Sequence, residues 1–377
     1  MPGSNFDTVS SQGDQSASAA SPAIIERLSI NNFDVLRLIF ASMVMLFHIG
    51  VLTQVPSLAW LQTYVSSAFG LQGFFFVSGF LVTLSYDKSS NLASYAWKRA
   101  RRIGPAYVTV VLLAAFGFVM LSALSWTEYF ASHEWRSYVF WNLLLMNFVS
   151  PDLPGVFEDH YKQAINGSLW TIKVEVAFYC MMPLMAYLGR HVGKWKAMIG
   201  LLFASIIWRV GLDLYGTHTG VDFWSKLAIQ APGQFAFFVA GAIAYERTRL
   251  GLPPPQAWMA ALAVATYALT TGLLHELVAP FAVGVVVYWA AIGAPFVGRA
   301  SRYGDFSYGT YLYHWPIIQM LIALGAYTYS PAAAVATTIA ATLLMAVCSW
   351  YLVERHFLQK SRIQMPLEDN RPSVSAK

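Results

Sequence analysis

Two long stretches of the chain contain no Asp, Glu, Lys or Arg: residues 38–86 and residues 306–353. A membrane-crossing helix takes about 20 apolar residues, so each stretch has room for two crossings. A water-facing domain cannot use such segments, because soluble chains carry roughly 25% charged residues to cover their surface. Here the charged fraction of all 377 residues is 11%, against 57% hydrophobic. A soluble enzyme and a DNA-binding module are both excluded. The net charge of +5 and the pI of 9.1 therefore report basic loops kept in the cytoplasm rather than a nucleic-acid surface.

Ten apolar stretches have helical length, at 33–54, 69–86, 105–124, 168–188, 197–214, 227–245, 256–274, 277–296, 306–325 and 332–353. An eleventh, Tyr138 to Val149, is too short to cross a hydrocarbon core of about 30 Å. With ten crossings and the N-terminus inside, 19 of the 24 basic residues fall on the cytoplasmic side; letting the short stretch cross would move every later basic loop outside. The charge distribution predicts an all-α polytopic bundle of about ten transmembrane helices, with a short outer-surface or re-entrant helix and both termini cytoplasmic. Residues 1–30 and 359–377 read as polar cytoplasmic tails flanking a membrane domain over 31–358. The N-terminal stretch has no basic start followed by an apolar core, so it is not a cleavable signal peptide. Cys180 and Cys348 lie in apolar segments and read as packing residues, offering neither a disulfide framework nor a metal site.

Ionisable side chains inside a bilayer are functional candidates by default. Asp34, Arg37 and His48 lie in the first span. Asp34 and Arg37 are spaced to pair on one face. Arg37 and His48, eleven residues apart, share a face and are separated by roughly 16 Å along the axis. Arg37 reads either as an interfacial anchor or as a functional cation. His48 lies deep in the outer half, and counting from helix ends places Glu175 at a similar depth, where a carboxylate would orient an imidazole as a general base. Lys173 is shallower and positioned to snorkel outward. Arg209 and Asp213 read as a structural pair. His314 precedes Pro316 by two residues; it either satisfies a carbonyl freed by the proline or faces a cofactor. The run Lys98-Arg99-Ala100-Arg101-Arg102-Ile103-Gly104-Pro105 reads as a loop ending at a helix start. It would hold either anionic lipid head groups or the phosphates of a cofactor, with help from free amides at the helix start. Ser78 lies on a small Ser–Gly face of the second span, suited to close helix approach or to lining a pore.

Several of these segments resemble the acyltransferase-3 family of integral membrane acyltransferases. Phe33-Asp34-Val35-Leu36-Arg37 through His48 is similar to its Asp-x-x-Arg and distant His. Phe76-Val77-Ser78-Gly79-Phe80, Arg102-Ile103-Gly104-Pro105-Ala106-Tyr107, Ser168 through Glu175 to Phe178-Tyr179, Ser307 through His314-Trp315-Pro316, and Val353-Glu354-Arg355 follow in the family's order. Departures are Val35, where Gly is frequent, and Thr171 and Lys173, where serine and an uncharged residue are common. The resemblance implies transfer of an acyl group, usually acetyl, from cytoplasmic acyl-CoA (acetyl-CoA) as co-substrate, with no metal. The implied acceptor is a hydroxyl of an extracytoplasmic or lipid-linked glycan such as an exopolysaccharide. It further implies residence in a bacterial cytoplasmic (inner) membrane, contact with membrane lipid and a link to polysaccharide-assembly machinery. On that reading Arg37 and His48 are catalytic with Glu175 in support. Arg99, Arg101, Arg102, Ser78 and His314 face the acyl-CoA, and Trp170 and Lys173 face the acceptor. A glycan or lipid flippase is the rival expectation; it would not need a cytoplasmic phosphate site beside a histidine.

Overall fold

The computed structural model describes residues 30–358, so the two expected tails fall outside the described residues apart from Ile30. The described chain is helical and contains no strand. Each of the ten apolar stretches forms a helix: α1 (Phe33–Thr53), α2 (Ser67–Asp87) and α3 (Leu92–Gly117) come first. The outer segment then contributes α4 (His133–Leu143). After it come α5 (Trp170–Val192), α6 (Lys194–Thr219), α7 (Ala231–Arg249), α8 (Ala257–Leu269), α9 (Gly272–Tyr288), α10 (Ser307–Ala323) and α11 (Pro331–Ser349). Eight of the ten are long and apolar enough to cross a membrane unaided. The other two, α8 and α10, have 13 and 17 residues, which at about 1.5 Å per residue is less than a hydrocarbon core of about 30 Å. The chain is a multi-pass, all-α membrane bundle.

Helix starts follow local chemistry. Ser66 caps α2 by accepting from the Phe69 N–H at 3.1 Å, and Asn91 caps α3 through the Ser94 N–H at 2.8 Å. The Asn91 cap has a consequence for the arginine run. Residues 98–105 are not a loop: they lie well inside α3, with Pro105 inside the helix as well. Pro105 thus presents no free helix-start amides, and the arginines project from a helical face.

The centre of the bundle is built by close approach and by burial. α7 packs against α2 and α6, while α10 packs against α1 and α11. Gly79 and Gly241 allow the α2–α7 contact: a Cβ on Gly79 would lie 1.9 Å from the Phe238 carbonyl oxygen, and one on Gly241 would lie 2.0 Å from that of Phe76. This is small-residue helix packing as membranes use it. α10 is buried on all sides, from Ser307 through Gln319. A helix covered all round by protein need not span the lipid alone, which accounts for its shortness and its polar His314 and Gln319.

The segment at 138–149 is helical only to Leu143 and then turns. Asn142 closes the turn through its Nδ2, which donates to the Tyr138 and Ser150 carbonyls at 2.9 Å each. Its own carbonyl accepts from Tyr107 Oη of α3 at 2.7 Å. Further along, residues 160–166 fold inward onto α10. Gln319 Nε2 donates to the Lys162 and Ala164 carbonyls, Trp315 Nε1 donates to Ala164, and His160 Nδ1 meets Gln319 Oε1 at 3.0 Å.

Three expected features differ in the structure. Arg209 pairs with Glu276 of α9 and not with Asp213 on its own helix, because Arg209 is buried and takes the carboxylate that packing brings to it. Asp34 and Arg37 also take separate partners, Ser301 and Asp305. Cys180 is exposed on the bundle exterior and is not a packing residue.

Candidate active site

The polar groups along α1 fall into two clusters. At the Arg37 end, the carboxylate of Asp305 binds the guanidiniums of both Arg37 and Arg102 through Oδ2. Its Oδ1 accepts from Ser307 Oγ at 2.6 Å and from the Ser307 N–H at 3.3 Å. Asp305 sits just before α10, where a negative charge also suits the helix start. Burial alone would raise its pKa, but the two guanidiniums outweigh burial and hold the carboxyl well below the usual carboxylate range. Sequence reasoning had no place for Asp305. Its signal was an acid two residues before Ser307, close to a bundle with surplus buried cations.

Arg37 and Arg102 line a cavity together with Ser78, Arg99, Glu175, Tyr179 and Tyr308, and Leu71, Phe74 and Tyr311 add apolar and aromatic lining. Arg99 stacks over the Tyr179 ring at 5.6 Å and donates from Nη2 to Ser85 Oγ at 3.1 Å. Its Nε is buried with no hydrogen-bond partner among the described residues. Glu175 accepts from Tyr179 Oη at 2.5 Å and from Ser78 Oγ at 3.3 Å. The cavity therefore offers three guanidiniums beside a hydroxyl-bonded carboxylate. Arg101 is not among the lining residues and instead lies over Trp97 at 5.9 Å.

The second cluster lies near the far end of α1. His48 Nδ1 and His314 Nε2 are 2.8 Å apart, with the rings within 3° of coplanar. His314 Nδ1 is 2.7 Å from the Tyr311 carbonyl oxygen. Trp315 meets the His48 ring edge-on, with centroids 4.8 Å apart. His314 is fully buried, whereas His48 is half-buried.

Glu175 is not the partner of His48. Its bonds to Ser78 and Tyr179 put it in the Arg37 cluster, because α5 does not start at the level assumed from its length. Ser168 and Thr171 pack against Tyr311: Tyr311 Oη lies 3.3 Å from the Ser168 carbonyl and 2.7 Å from Thr171 Oγ1. The start of α5 is thus already about one turn short of His314, and Glu175 lies about 10 Å further along. Nor does His314 serve the carbonyl that Pro316 leaves free. That carbonyl, of Leu312, accepts from Asn166 Nδ2 at 2.9 Å. Lys173 places its Nζ 4.4 Å from the Phe148 ring centroid. Trp170, half-buried, begins α5, and neither it nor Lys173 lines the arginine cavity. Among the described residues no three His, Cys, Asp or Glu side chains form a metal-ligand set.

A family model described as an acyltransferase domain matches residues 30–354. The chain belongs to the acyltransferase-3 family. Two relatives match this acyltransferase over nearly their whole length. One is a protein named "Nodulation protein 10" of Rhizobium leguminosarum bv. viciae, 29% identical over 86% of this chain and 92% of the relative. The other is an "O-acetyl transferase" of Shigella phage Sf6, 28% identical over 90% of this chain and 99% of the relative. No solved structure matches the acyltransferase. Both clusters fall within the matched region.

Proposed function

We propose that this membrane acyltransferase moves an acetyl group from acetyl-CoA to a hydroxyl of a surface glycan, with an exopolysaccharide as the leading acceptor class. The observation that carries the proposal is the pairing of a guanidinium-lined cavity at one end of α1 with a hydrogen-bonded histidine pair at the other. Arginines suit phosphate, since guanidiniums bind it bidentately, and three of them line the cavity. The Arg37 end would face the cytoplasm, where acyl-CoA is made, in a bacterial inner membrane with both termini inside. Most of the basic residues fall on that side.

In this reading Arg37, Arg99 and Arg102 hold the anionic part of the donor, and its thioester arm extends along α1 towards His48. His48 takes the proton of the acceptor hydroxyl as the oxygen attacks the thioester carbonyl. The C–O bond forms, the C–S bond breaks, and the proton passes to the departing thiolate. Trp170 and Lys173 at the start of α5 are the acceptor-side residues. The name of the phage relative, an O-acetyl transferase, supports acetyl transfer to oxygen.

The test is replacement of His48 and of Arg37 by Ala in a deletion strain. The readouts are the O-acetyl content of surface glycans by mass spectrometry and transfer from labelled acetyl-CoA in isolated membranes. His48→Ala is expected to lower transfer at least about 100-fold, the usual worth of a general base. Unchanged acetylation by His48→Ala at normal protein level overturns the proposal.

A further inference from the structure

We infer that His314 is a positioning residue that fixes the tautomer of His48 and so makes Nε2 of His48 the proton-accepting nitrogen. The inference rests on the acyl-transfer reading above, in which His48 is the base.

The argument starts from a group that cannot donate. The Tyr311 carbonyl oxygen only accepts, and it lies 2.7 Å from His314 Nδ1. That nitrogen must carry the hydrogen of the neutral His314 ring, which leaves a lone pair on Nε2. Nε2 is the atom that meets His48 Nδ1 at 2.8 Å, so His48 Nδ1 must be the donor in that contact. The lone pair of the neutral His48 ring then sits on Nε2. One main-chain carbonyl thereby sets the hydrogen positions on two rings in series. Near-coplanarity, within 3°, points each N–H along the lone-pair direction of its acceptor.

Two further observations separate this role from a packing role. The carbonyl freed by Pro316 is already bonded by Asn166, so the helix does not need His314 to satisfy it. And His48 is bonded through Nδ1, while its Nε2 makes no hydrogen bond among the described residues and the ring is only half-buried. The nitrogen made basic is therefore the one that no protein group occupies. Orienting a catalytic imidazole through a bond at its other nitrogen is the general way such a base is held. Here a second, fully buried imidazole does it in place of a carboxylate.

The side-chain amides discriminate between the two roles. His314→Gln places its Oε1 where Nε2 was and can still accept from His48, whereas His314→Asn keeps a donor near the Tyr311 carbonyl but falls short of His48. Transfer from labelled acetyl-CoA is measured in membranes of the deletion strain carrying each variant, with acetyl-CoA varied, beside His48→Ala. The expected result for His314→Asn is a maximal rate down about 100-fold with the KM for acetyl-CoA within about threefold of wild type. His314→Gln should recover about tenfold or more of that loss. Asn as active as wild type, or Gln no better than Asn, overturns the inference. If His48→Ala is itself active, the base assignment fails first, and the two failures are told apart. A measurement on the unaltered protein guards against variants that do not fold. With ¹⁵N-histidine labelling, His48 should show a protonated Nδ1 and an unprotonated Nε2 at neutral pH, and the opposite pattern overturns the inference.

Discussion

Replacing Asp305 with Asn keeps the shape of the side chain and removes the negative charge that Arg37 and Arg102 share. The three side chains are 14%, 16% and 18% exposed, so the two cations left behind could not be well solvated by water. A unit-charge pair at about 4 Å is worth roughly 4 kcal/mol at an effective dielectric of about 20, or about 8 kcal/mol gross for two contacts. Desolvation of three charged groups offsets much of this. What remains when one partner of a buried ionic cluster is removed is typically about 3–5 kcal/mol, and this is the destabilisation expected for Asp305→Asn. Asn can still accept from Ser307, so the start of α10 is not the term being measured. Thermal unfolding of the detergent-solubilised protein at pH 7 is the assay. Arg102→Ala added to Asp305→Asn removes one of the two opposed cations, so the double variant should be more stable than Asp305→Asn alone.

The pH dependence gives an independent sign. The folded pKa of Asp305 lies below that of an unfolded carboxyl, about 3.9, with Arg37 and Arg102 overcoming the opposing effect of burial. Its stabilisation is therefore complete above about pH 4 and is lost as the pH falls below that towards the folded pKa. The melting difference between wild type and Asp305→Asn should be largest near neutrality and shrink on acidification towards pH 3. Equal melting temperatures at pH 7, or a double variant whose losses simply add, would refute the reasoning that Asp305 neutralises two otherwise opposed cations.

Two other outcomes follow from the packing and from the cavity. Gly241→Ala should cost about 1–3 kcal/mol or more, because its Cβ would meet the Phe76 main chain at 2.0 Å; Gly104→Ala, with nothing within 4 Å, should be neutral or slightly stabilising. Protein yield and melting temperature check both. Glu175→Gln should lower acetyl transfer by disturbing Tyr179 and Ser78, yet leave the ¹⁵N pattern of His48 unchanged, since no bond joins the two residues. A change in that pattern would mean that Glu175 acts on His48 after all.

The fold class could be read from charge alone, because a bilayer leaves so few arrangements open to a chain with such long uncharged stretches. The ten helical stretches follow from the same argument, and so does the shared face of Arg37 and His48, which needs only the helical period. Depth was harder. Counting down from a helix end assumes that the end lies at the membrane surface, and residues 160–166 break that assumption by folding inward onto α10 through Gln319 and Trp315. Glu175 consequently drops from the histidine level to the arginine level. The start of α3 is legible in Ser89-Ser90-Asn91, which ends in a good N-cap, and extending the helix back to it turns the arginine loop into a helical face. Asp305 and Glu276 show a more general limit. Each answers an arginine inside the bundle from a distant point in the chain, 268 and 67 residues away, so no local spacing rule can find it. A charge count can still demand it. Arg37, Arg102 and Arg209 inside a bundle require carboxylates somewhere, and spacing alone offers them within one helix, as Asp34–Arg37 and Arg209–Asp213. In the folded protein that demand is met across helices instead, because only side chains from neighbouring helices can close on a guanidinium that already points away from its own helix into the core. The same reasoning finds His314 for His48: an imidazole inside the bundle needs a partner at the nitrogen it does not use, and α10, buried on every side, is the helix that supplies one.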